Sequence, residues 1–221
     1  MTNRLPMTPG RWVALVIGTP LALVAIGWTA LTAVAFAGLG SSRVNLAVPF
    51  HGHTAVVNVD EGDITAGPGP AGEVRVHGTL HYSLIRPKLT WHRSGSTIAL
   101  HARCQVPTGV CSVDYAVAVP PVARSELSTA SGNLTASGLA GTVTLSTDSG
   151  DITVVFTKIP DLVKISDSSG NIKLVLPPGR TAYRVSASTS SGQTSIGVPQ
   201  SPTSPHVISA TDQSGNITIS Q

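Results

Sequence analysis

Aromatic side chains make up only 4% of this chain and charged ones 11%. The first scarcity excludes a core of stacked rings and a surface that stacks nucleobases. The second excludes long helices laced with surface ion pairs. Charge of one sign is also missing. The formal charge is +3, but Arg4 and Arg11 supply two of those units, and from Arg43 onward twelve basic residues face eleven acidic ones. A nearly neutral body lacks the positive field that phosphate backbones need, so nucleic acid is not an expected partner. The chain contains no GxSxG, no HExxH and no phosphate-cradling glycine loop, which removes the commonest motif-borne chemistries. Cysteine is nearly absent, at two residues.

What the chain has in quantity is glycine, serine, threonine and valine, and one corner that recurs. Gly62-Asp63-Ile64, Ser131-Gly132-Asn133-Leu134, Ser149-Gly150-Asp151-Ile152, Ser169-Gly170-Asn171-Ile172, Ser191-Gly192-Gln193-Thr194 and Ser214-Gly215-Asn216-Ile217 read alike. From Gly132 the glycines advance by 18, 20, 22 and 23 residues, the range in which each unit is one supersecondary element stacking on the next. Around each corner, apolar and polar residues alternate as in half-buried strands. Glycine allows the bend, a flanking Ser, Asp or Asn can hydrogen-bond it, and a β-branched residue restarts the strand inward. Ile152, Val154, Ile172, Leu174, Ile217 and Ile219 are expected to line the interior, with Thr153, Lys173 and Thr218 toward solvent. Proline-bearing returns, TKIPD, PPGR and VPQSPTSP, close the coils.

The fold expected is therefore all-β, a β-solenoid over residues 44–221, to which the family resemblance given below adds the form of a right-handed β-helix. Residues 44–130 read as its irregular coils and 131–221 as the regular Ser-Gly repeats. The chain's final strand, NITIS, is expected to leave a sheet edge that a loop must cover or a partner strand must pair.

Ahead of this body lies a stretch of another kind. No charged side chain occurs between Arg11 and Arg43, and the apolar run exceeds the roughly 20 residues that cross a bilayer as a helix. Residues 1–11 read as a short cytoplasmic N-terminus and 12–40 as a single transmembrane anchor helix. Arg4 and Arg11 bias the N-terminus to the cytoplasm, which exports the β domain. The rival is a signal peptide cleaved after Ala35-Phe36-Ala37, which would release that domain.

Cys104 and Cys111 are six residues apart around Pro107 and Gly109. In an oxidising exterior this spacing favours a structural disulfide over a redox pair or an incomplete zinc set.

The DSGDITV and SSGNIKLVLP blocks, following an N-terminal membrane segment, resemble the β-strand-repeat "putative adhesin" family of bacterial envelope proteins, also called Toastrack-like. The resemblance covers roughly residues 55–221. It implies a β-helical stack attached to a membrane segment and a part in surface interaction or envelope stress signalling. It brings no catalytic residues.

Asp148, Asp151, Asp167 and Asp212 lie beside successive corners, where turn capping accounts for them better than a calcium ladder or an acid-base pair, since the residue after Gly varies. His51, His53, His77, His81, His92 and His101 read as surface residues. Asn133 and Asn216 match the glycosylation sequon but coincide with corners. No catalytic, cofactor-binding or metal-ligating residue is assigned. The expected function is a non-enzymatic, membrane-anchored solenoid whose Ser/Thr-rich face meets an envelope component or another membrane protein. Two alternatives are an envelope-stress signalling accessory, with Gly18 and Gly27 packing against another helix, and a secreted carbohydrate-active enzyme.

Overall fold

The computed structural model describes residues 39–50, 54–83, 88–95, 97–103, 111–121 and 124–221. Its strands are β1 (Leu39–Pro49), β2 (Thr54–Glu61), β3 (Asp63–Pro68), β4 (Glu73–Ser83), β5 (Lys88–Ser94), β6 (Thr97–Arg103), β7 (Cys111–Val119), β8 (Arg124–Ser131) and β9 (Leu134–Ser137). They continue as β10 (Thr142–Ser149), β11 (Ile152–Val155), β12 (Leu162–Ser169), β13 (Ile172–Val175), β14 (Arg184–Ser191), β15 (Thr194–Ile196), β16 (Val207–Ser214) and β17 (Ile217–Ser220). No helix among the described residues is long and apolar enough to cross a membrane. Residues 12–38 of the expected anchor lie outside the described residues, as does the cleavage site near Ala37.

Two sheets face each other. One runs β1-β4-β7-β3-β9-β11-β13-β17-β15, the other β14-β16-β12-β10-β8-β2-β6-β5. Each corner glycine joins an eight-residue strand of the second sheet to a shorter strand of the first. Strand alternation then buries every second residue between the sheets. Val143, Val163 and Ile208 form one inward row, and Ile152, Ile172 and Ile217 another, all at 0–1% exposure. Burying a side chain of this size contributes about 1.5–3 kcal/mol, and stacking multiplies it coil by coil.

Sequence order and spatial order part company at both ends. The expectation was that each unit stacks on the one before it. Instead β16 lies between β12 and β14, and β17 between β13 and β15. NITIS is thus an interior strand, and the exposed edge belongs to β14 and β15. The reason lies in side chains. Where the inner coils place Ile152, Ile172 and Ile217, the edge coil places Thr194, which leaves little apolar surface for water to meet. The return of residues 197–206 makes the swap possible. Within it the buried Ser204 donates to the Ala182 carbonyl at 2.7 Å, and the Tyr183 N–H donates to the Pro199 carbonyl at 2.9 Å.

The first half of the body differs from the irregular coils expected there. β4 runs antiparallel to both β1 and β7, and β5 antiparallel to β6. β6 and β7 belong to different sheets and return the chain to lie beside β2 and β3. The segment from Cys104 to Cys111 spans this sheet change. Cys104 lies outside the described residues, and so does the expected disulfide.

Candidate functional site

The six corner glycines, Gly62, Gly132, Gly150, Gly170, Gly192 and Gly215, stack in one column. A Cβ on Gly132 would overlap the Gly62 carbonyl oxygen, one on Gly150 the Gly132 carbonyl, and one on Gly215 the Gly170 carbonyl. The backbones approach closely because no side chain stands between them. Each corner is tied to the next by a backbone bond: the Gly132 N–H donates to the Ser149 carbonyl at 2.9 Å, the Gly150 N–H to Ser169 at 3.0 Å, and the Gly215 N–H to Ser191 at 2.9 Å.

The residue after each glycine builds an outer ladder. Asp63 Oδ1 accepts the Asn133 N–H at 2.7 Å, Asn133 Oδ1 the Asp151 N–H at 2.9 Å, and Asp151 Oδ1 the Asn171 N–H at 2.8 Å. Asn171 Oδ1 then accepts the Asn216 N–H at 3.1 Å, and Asn216 Oδ1 the Gln193 N–H at 2.9 Å. The variation among Asp and Asn now has its cause: either supplies the one acceptor oxygen needed. Gln193, at the end, has no further coil to cap. This is also the structural role of Asn133 and Asn216.

The residue three before each glycine builds an inner ladder. Thr129 Oγ1 donates to the Gly62 carbonyl at 3.1 Å, Thr147 Oγ1 to Gly132 at 3.3 Å, and Thr189 Oγ1 to Gly215 at 3.0 Å. In the two coils between, Asp167 and Asp212 hold this position, in register with each other. Both are 5% exposed. Their Oδ1 atoms accept the N–H of Ser169 at 3.1 Å and of Ser214 at 3.0 Å, whereas each Oδ2 is buried with no hydrogen-bond partner. Burial pushes the Asp167 carboxyl above the usual aspartate range, and Asp212 and Asp151 push it further, against the opposing Ser169 N–H. Sequence reading grouped these two with Asp148 and Asp151 as turn residues. Strand parity counted back from the buried Ile165 and Ala210 separates the inward pair from the outward one.

Outside, the sheet containing β14, β16, β12, β10 and β8 carries hydroxyls in register. Ser128, Ser146, Ser166, Thr211 and Ser188 stand on five neighbouring parallel strands, so they repeat at the ordinary strand spacing of about 4.8 Å. Ser166 Oγ and Thr211 Oγ1 are 3.2 Å apart, and Ser128 Oγ donates to Asn58 Oδ1 at 2.8 Å. Above the Ser146–Ser188 part of this row an open concavity of about 390 Å³ is lined by Asp148, Ser168, Ser190 and Gln213 together with Ser146, Ser166, Thr211, Ser188 and the Asp167–Asp212 pair. Chemically it offers many neutral donors and acceptors and no nucleophile paired with a base.

His77 Nδ1 lies 2.7 Å from Asn45 Oδ1, and His81 Nε2 3.4 Å from an Asp114 carboxylate oxygen. His51 and His53 lie outside the described residues. No group of three or more His, Cys, Asp or Glu suited to a metal ion occurs among the described residues.

Comparison with known proteins follows the stack. Among solved structures, a "putative cell adhesion protein" from Clostridium sporogenes superposes with a TM-score of 0.57 at 13% identity, over 83% of this chain and 99% of its own. A "putative adhesin" from Bacteroides fragilis gives a TM-score of 0.40 at 12% identity, over 81% of this chain and 96% of its own. The first likeness shows a shared all-β fold. No curated protein matches the sequence. Residues 121–220, which carry the regular corners, match the family described as Toastrack DUF4097.

Proposed function

We propose that this chain is a non-enzymatic surface-interaction module of a bacterial envelope, held at the membrane by its N-terminal apolar segment with the β domain outside. The hydroxyl row of the β10-β12-β16-β14 face is its working surface, and a polyhydroxylated wall polymer is the ligand class it fits. The carrying observation is the five-strand register of Ser128, Ser146, Ser166, Thr211 and Ser188, the last four of them beneath the open concavity. Hydroxyls both donate and accept, so such a row can meet a sugar polymer in many registers without fixed charge. The adhesion-related description of the Clostridium sporogenes neighbour is consistent with this reading.

The test is co-sedimentation of the full-length protein in vesicles with insoluble wall polysaccharide, alongside Ser146→Lys and Ser166→Lys. Both positions point outward, so folding is retained. Binding lost in the variants supports the assignment, and equal binding by variant and parent refutes it.

A further inference from the structure

The charges of the folded body are not evenly spread. β1, β5 and β6 carry Arg43, Lys88, Arg93 and Arg103 and no acidic residue. On the remaining described strands and loops, seven basic residues face eleven acidic ones. The cationic strands share one end of the stack, β1 as the edge of one sheet and β5 as the edge of the other. It is also the end reached first by the chain, since β1 begins at Leu39, directly after the uncharged apolar run.

This end is apolar as well as cationic. Trp91 on β5 is 52% exposed, the most exposed large hydrophobic side chain among the described residues. It stands at a small mouth of about 80 Å³ between the sheets, with Val44, Leu46 and Leu89. Its strand neighbours include Lys88, His92 and Arg93. A half-exposed tryptophan flanked by cations is the composition that partitions to a lipid headgroup layer. A protein strand partner would pair the β5 edge by backbone bonds and would need neither the tryptophan nor the cations.

We propose that the β1-β5-β6 end rests on an anionic lipid surface, with Trp91 in the headgroup layer and Arg43, Lys88 and Arg93 against lipid phosphates. The inference builds on the anchored reading given above: the membrane segment holds this end down, and the hydroxyl face then stands along the side of the stack, upright on the bilayer and facing sideways.

The test uses the full chain with Trp12→Phe and Trp28→Phe, which leaves Trp91 as its one tryptophan. It is reconstituted in brominated phosphatidylcholine vesicles and in equal mixtures of brominated phosphatidylcholine and phosphatidylglycerol. Trp91 emission is expected to shift to the blue and be quenched only in the anionic vesicles. Lys88→Gln and Arg93→Gln should each lower the docked-to-undocked ratio about fivefold. Unchanged Trp91 emission in the two vesicle types, or equal quenching in the double Gln variant, overturns the proposal. An alkaline carbonate wash reads the anchor separately: protein stripped from the vesicles refutes the anchor, while the quenching result still decides the surface.

Discussion

Asn216 Oδ1 accepts the backbone N–H of Gln193 at 2.9 Å, although Gln193 precedes it by 23 residues. Everywhere else on the outer ladder the acceptor side chain comes earlier in the chain than its donor. This one inversion marks the place where the last coil made is folded inside the one before it. Asn216→Ala should cost about 0.5–1.5 kcal/mol and speed hydrogen exchange at the Gln193 amide. Gln193→Ala, which caps nothing, should be near neutral. Urea unfolding and exchange on the two variants measure the contrast, and equal losses would contradict the ladder.

A Cβ at Gly150 meets the Gly132 carbonyl, and its φ of 138° already lies in the region that side chains avoid. Gly150→Ala is expected to destabilise by about 3 kcal/mol through strain and forced separation of coils. Gly197→Ala is the control. Its added methyl would sit 3.6 Å from the Ile219 carbonyl, and the change should stay within about 1 kcal/mol. Melting temperatures of the two decide the matter.

Asp167 gives the pH dependence its sign. Its carboxyl titrates higher in the fold than in the unfolded chain, chiefly through burial. The stability it contributes is therefore complete below the unfolded aspartate value of about 4 and is lost as pH rises through the higher folded value. Asp167→Thr puts at this position the residue that the neighbouring coil already uses, with a hydroxyl to donate to the Gly150 carbonyl. At neutral pH the variant should be more stable by about 1 kcal/mol, and its advantage should shrink in acid. A pH-independent loss of stability would show that the carboxylate is well accommodated.

Coil order can be read out by truncating the same side chain at two places. Ile217 is fully buried between β13 and β15, whereas Ile196 on the edge coil is half-buried. Ile217→Ala should cost about 2–5 kcal/mol, and Ile196→Ala clearly less. If NITIS were the outer strand, the ranking would reverse.

Local geometry was legible in the chain because each recurring residue answers a local demand. A glycine is required where two backbones touch, a short acceptor where an amide turns outward, and a β-branched residue where the strand re-enters the core. Ile152, Ile172 and Ile217 could be assigned inward from alternation alone, and they are buried at 0–1%. Order along the stack was not legible from spacing, since any corner can dock on any other. Its signal was present in another form: the coil with Gln193 and Thr194, where the others place Asp or Asn and then Leu or Ile, is the one least suited to lie between neighbours. Asp167 and Asp212 cap their turns as expected, through the Ser169 and Ser214 amides; what was missed is their burial, since only strand parity reveals that they turn inward. The β4 and β5 excursion escaped because strands of one period pair equally well in either direction.

The inserted coil also sets a timetable. A chain made from its N-terminus presents β14 and β15 before β16 and β17 exist, at a moment when β12 and β13 offer them a fitting but incorrect neighbour. Proper assembly requires that the early arrival hold back or be displaced once the last residues emerge. A nascent chain halted short of β16 and β17 therefore lacks the coil one place in from the edge of its stack, between partners that are already made.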